Sequence, residues 1–103
     1  MEFEKLSKSE KIKYFNEIEK DIRQCLFLCG DNVPNDIALK VAEYLSHNEL
    51  GIALEILTAM AIEHAWNISN EAKKYILKTF KKMDYHKTDS DQYESYEKWV
   101  NTI

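Results

Sequence analysis

Residues 47 to 57 read HNELGIALEIL, and they decide the architecture. Leu50, Ile52, Ala53, Leu54, Ile56 and Leu57 are too dense a run for the single apolar stripe of a surface helix, yet Glu49 and Glu55 sit among them. Continued to Ala65 at about 100° per residue, the stretch gathers Leu50, Ala53, Leu54, Leu57, Ala61 and His64 on one face, with Ile52, Ile56, Ala59 and Met60 roughly opposite. A helix apolar on two sides belongs in the middle of its fold. The expected architecture is therefore an all-α, single-domain bundle of about five helices spanning 1–103, with helix 49–65 central and flanked on both faces.

Composition agrees with helices. The 103 residues contain two glycines and one proline, too few for a sheet built on tight turns, whose corners rely on those residues. A chain of this length forms one domain and buries about two thirds of its unfolded surface. No stretch approaches the ~18 apolar residues of a membrane span, and the opening MEFEK lacks the basic-then-apolar profile of a signal peptide. The expectation is a soluble, cytoplasmic protein that does not bind membranes. Cys25 and Cys29, four apart on a helix, read as a reduced core pair and not as a disulfide.

Outward from the central stretch, local signals place the neighbours. Ser7 with Glu10 three residues on is a capping box, and it opens a helix carrying Ile12, Phe15, Ile18, Ile22, Cys25, Leu26 and Cys29, which Gly30 closes. DNVPND is a loop, after which Asn35 or Asp36 caps a second helix with Ile37, Ala38, Val41, Tyr44 and Leu45 inward. The tight SHN turn makes helices two and three neighbours. Ser69 caps a fourth helix with Ala72, Tyr75, Ile76, Thr79, Phe80 and Met83 inward and Lys74, Lys78, Lys81 and Lys82 outward. DYHKTDSDQ reads as a loop, followed by a last helix over YESYEKWVNTI with Tyr93, Tyr96, Trp99, Val100 and Ile103 on one face.

Charge is segregated along the chain. Residues 1–30 balance six acids with six bases; residues 31–71 carry seven acids against Lys40; residues 72–83 carry five lysines and no acid; residues 84–103 carry five acids against two lysines. Acids beside an apolar helix either solvate its edges or prepare it for a basic partner, whose encounter they accelerate. The net charge of −4 disfavours a phosphate backbone. The lysine band of the fourth helix does not alter this, because its aromatics Tyr75 and Phe80 fall on the inward stripe.

Catalytic constellations are not legible. Gly30 and Gly51 cannot make a phosphate loop, and Glu17 with Asp21 reads as a solvated pair among lysines. His47, His64 and His86 lack zinc-ligand spacing, and His64 beside Glu63 reads as a core-edge histidine before a general base. No catalytic residue, metal or cofactor is expected.

The stretch from Val41 to Tyr85, with its short helix, tight turn, ELGIALEIL helix and Ser69-capped helix, resembles a family of small bacterial immunity proteins, the MafI-type and CdiI-like proteins of contact-dependent growth inhibition systems. The resemblance covers less than half of the chain. It implies a non-enzymatic, helical protein that binds and neutralises the C-terminal toxin domain encoded just upstream, often a nuclease. The partner is then a basic toxin domain held in a one-to-one complex by a monomer. The residues expected to meet it are Glu43, Glu49, Glu55, Glu63, Asp84, Asp89, Asp91, Tyr93 and Tyr96, and part of the Ile52, Ile56, Ala59, Met60 face joins them in one reading of that face. Residues 86–103 form an acidic aromatic tail beyond the family-like core of about 41–85. The competing class is a helical adaptor or antitoxin-like regulator that binds a basic host protein.

Overall fold

The computed structural model describes residues 5–102, which form six α-helices and no strand. Helix α1 runs Lys8–Cys29, α2 Asn35–Ser46, α3 Leu50–Glu63, α4 Asn70–Lys82, α5 Tyr85–Thr88 and α6 Ser90–Val100, with a 3₁₀ turn at Gly30–Asn32. The all-α class is as the sequence predicts, with one short helix more.

Local chemistry explains the boundaries. The Ser7 hydroxyl accepts from the Glu10 backbone N–H and the Glu10 carboxylate accepts from the Ser7 N–H, each at 3.2 Å, so both ends of the capping box are closed. Gly30 ends α1 at φ +58°, a backbone that L side chains rarely adopt. Pro34, not Asn35 or Asp36, holds the cap position of α2, and its carbonyl accepts from Ala38 N–H at 3.0 Å. Proline has a fixed φ near the helical value, so it starts the helix one residue earlier than a side-chain cap would. Asn48 turns the chain into α3 with φ 58°, a conformation asparagine tolerates. Ser69 caps α4 by accepting from Ala72 N–H at 3.0 Å.

The core collects Ile18, Ile22, Cys25 and Cys29 of α1, Val41 and Leu45 of α2, Leu50, Ala53, Leu54 and Leu57 of α3, Ile76 and Phe80 of α4 and Tyr96 of α6. Helix α3 packs on α2, α1 and α4, while α4 packs on α1, α3, α5 and α6. The centre is therefore shared between α3 and α4. Two buried threonines satisfy their hydroxyls within their own helices: Thr58 donates to Leu54 O at 2.7 Å and Thr79 to Tyr75 O at 2.8 Å. Cys25 and Cys29 are buried free thiols.

Three expectations are corrected. The second apolar face of α3 is not covered by a helix: Ile52 and Ala59 are exposed, and Ile56 and Met60 half-buried. His64 lies outside, because α3 ends at Glu63 and Ala65 reverses the chain at φ 47°, so the helical face does not extend that far. DYHKTDSDQ is mostly helical; Asp84 turns the chain at φ 63°, α5 follows, and α6 begins at Ser90 instead of Tyr93. Ile103 falls outside the described residues.

Candidate interaction surface

The nine residues expected to meet a partner separate into three groups. Glu43 on α2 and Glu49 and Glu63 at the two ends of α3 are exposed, and none makes an ion pair with a described residue. Asp89 and Asp91 are exposed at the start of α6, with Tyr93 half-buried beside the His86 ring at 5.8 Å. Glu55 and Tyr96 make contacts inside the fold, and Asp84, half-buried, lines a cavity beside α1.

Glu55 anchors the C-terminal helices. Its Oε2 accepts from the Tyr85 hydroxyl at 2.9 Å and its Oε1 from Gln92 Nε2 at 3.0 Å; the same amide donates to Tyr96 Oη at 2.6 Å. Gln92 thus offers one amide hydrogen to each acceptor. Tyr96 is 6 % exposed and stacks on Phe80 with centroids 4.4 Å apart, and Tyr85 tilts against the same ring at 4.7 Å. Burial, then the neighbouring Glu55 carboxylate, pushes the Tyr85 phenol up, and the same two causes raise that of Tyr96 to about 12. A polar clasp of α3, α5 and α6 is the result. Glu55 and Tyr96 are therefore corrected from partner contacts to fold contacts, since each oxygen of the one already has a donor within the fold and the other is inside.

Gly51, one turn before Glu55, is what admits the clasp. A Cβ there would stand 2.5 Å from the Tyr85 hydroxyl oxygen. Sequence reasoning missed Tyr85 and Gln92, although a glycine inside an otherwise apolar helix is a signal of close approach.

A second polar cluster joins α1 to α4. Asp21 accepts from the Tyr75 hydroxyl at 3.0 Å and from Lys82 Nζ at 2.8 Å, and Lys82 reaches Glu17 at 3.3 Å. The Asp21 hydrogen bond raises the Lys82 pKa. Next to it a cavity of about 310 Å³ is lined by Leu6, Tyr14, Glu17, Ile18, Lys81, Lys82 and Asp84. Tyr14 donates to the Lys82 carbonyl at 2.9 Å, and its pKa is raised by burial and by Asp84. The opposed charges around this cavity cancel, and Glu17 and Asp21 act as an interhelical tie, not as a solvated pair.

Neither thiol is an activated nucleophile: burial pushes Cys25 up to about 12 and Cys29 to about 11. No group of three or more His, Cys, Asp or Glu among the described residues could hold a metal ion. No described helix is long and apolar enough to cross a membrane. No family model, curated protein or solved structure matches this chain.

Proposed function

We propose that the protein is an immunity protein, which binds a basic toxin domain one-to-one in the cytoplasm and neutralises it without catalysing a reaction. The observation that carries this reading is the combination on α2 and α3 of exposed carboxylates with no cationic partner among the described residues, Glu43, Glu49 and Glu63, with an apolar face left open between the last two. A nuclease cleft is lined with cations that hold phosphates, and carboxylates presented on a rigid helix take the place of those phosphates. The resemblance of residues 41–85 to immunity proteins supports the same reading.

Co-expression with the toxin domain encoded immediately upstream should restore growth of cells that the toxin alone kills, and the two chains should co-purify. A purified protein that turned over a substrate while failing to bind that domain would defeat the proposal.

A further inference from the structure

Helix α3 presents one continuous strip to solvent. Taken at steps of three and four, Glu49, Ile52, Ile56, Ala59 and Glu63 lie on a single line along its outer face. Ile52 is 44 % exposed, Ala59 is exposed, and Ile56 is half-buried. The strip is apolar in the middle and carboxylate at both ends, which are about 21 Å apart at about 1.5 Å per residue.

Ile62, 41 % exposed, borders the strip beside Ala59, whereas the exposed large apolar side chains elsewhere do not extend in this way. Ile12 has Lys8, Ser9 and Asn16 as its exposed helical neighbours, Phe27 has Arg23, Gln24 and Asp31, and Leu39 has Asp36 and Glu43. Each is a single apolar residue among polar ones, which is ordinary for a protein surface.

Charge selects what covers the strip. A second copy docked by two-fold symmetry would bring Glu49 of one against Glu63 of the other, a like-charge juxtaposition that costs affinity. The exposed side of α4 in a second copy offers Lys74, Lys78 and Lys81 but no exposed apolar residue for Ile52. Anionic lipid and nucleic acid are repelled by both ends. A narrow strip, straight for about 21 Å and flanked by Ile62, matches the ridge of another helix.

We infer that the outer face of α3 is the docking strip for an amphipathic helix of the partner, with apolar residues facing Ile52, Ile56 and Ala59 and a basic residue at each end facing Glu49 and Glu63. This rests on the proposal that the partner is basic, and it adds where the partner binds and by what element. The isoleucines supply the buried centre of the contact, and the glutamates set its direction and exclude partners of the wrong charge.

The test titrates the isotope-labelled protein with a synthetic helical peptide that has leucines along one face and lysines at both ends, and with a peptide carrying glutamates in place of those lysines. Backbone shift changes should run along residues 49–63 with the first peptide and be absent with the second. Glu49→Lys together with Glu63→Lys should exchange that preference. Ala59→Arg, at an exposed position that a long helix-forming residue fits, should keep the circular dichroism spectrum and weaken the lysine-ended peptide and the upstream-encoded toxin domain by about thirtyfold or more. Shift changes that fall on α1 or α4 instead, or no changes at all, would overturn the inference. So would concentration-dependent changes along the strip in the protein alone, which would assign it to a second copy. If the toxin domain binds with undiminished affinity after Ala59→Arg, the docking strip is wrong and the immunity proposal survives. If the strip takes the lysine-ended peptide as described while the toxin domain binds nowhere, the strip stands and the immunity proposal falls.

Discussion

Gly51→Ala tests the clasp most directly, because two known effects oppose each other at one atom. In an exposed helix interior, replacing glycine by alanine stabilises by about 1 kcal/mol. Here the new methyl would stand 2.5 Å from the Tyr85 hydroxyl oxygen. The phenol is the far end of its side chain, but its ring is held against Phe80 with centroids 4.7 Å apart, so moving it breaks two contacts. A hydrogen bond to a charged acceptor contributes about 1.5–3 kcal/mol and an aromatic pair about 0.5–1.5 kcal/mol. The losses outweigh the helix gain, and Gly51→Ala should destabilise by about 1–3 kcal/mol. Tyr85→Phe removes the clashing oxygen, and the next ring atom lies 3.6 Å from the added Cβ, an ordinary contact. In that background Gly51→Ala should instead stabilise, by up to about 1 kcal/mol. Urea unfolding of the four proteins of this cycle, followed by circular dichroism, gives the coupling directly. Equal effects of Gly51→Ala in both backgrounds would refute the fit between the glycine and the tyrosine.

Leu54 is wholly buried, and Leu54→Ala should cost about 2–5 kcal/mol in thermal melts, through lost transfer energy and the cavity left behind. Charge reversal at exposed Glu49, Asp89 and Asp91 should weaken toxin binding in titration calorimetry with nearly unchanged melting temperature; unchanged affinity would mean that the acids are merely solvated. Trp99 is half-buried with Lys73 Nζ 5.4 Å from its ring centroid, so Trp99→Ala should lower stability more than affinity. Stability should also decline in alkali: the Tyr85 and Tyr96 phenols are raised from 10.0, that of Tyr96 to about 12. A raised pKa means that the folded chain keeps protons that the unfolded chain has lost. Their contribution is complete below about pH 10 and disappears as pH climbs through the folded values. Tyr96→Phe should flatten that alkaline limb of a pH–stability curve.

Signals that act within a few residues were legible in the sequence. The Ser7–Glu10 box, Gly30 and the Ser69 cap each settle a boundary through bonds to their own helix, and all three stand where they were expected. The start of the C-terminal helices was not legible, because its cause is distant. Tyr85 and Gln92 find their acceptor 30 and 37 residues away in Glu55, and DYHKTDSDQ has no apolar period to reveal it. The same distance misassigned Glu55 and Tyr96: residue type suits an interface and an interior clasp equally, and only the fold separates them. Periodicity identified both apolar faces of α3 but carries no information on whether a neighbour covers the second.

The clasp also settles which of several packings the C-terminal segment adopts. Apolar contact is forgiving about register, since a helix moved by one turn along a greasy groove buries much the same area. Hydrogen bonds are not. If α6 slid by a turn, Gln92 would leave Glu55 and Tyr96 would leave the Phe80 ring, and the half-buried carboxylate would lose one of its two donors at the cost attached to an unsatisfied charge. A helix of four residues and one of eleven thereby acquire a single address on the α3–α4 pair, one that oil-like contact alone would leave degenerate.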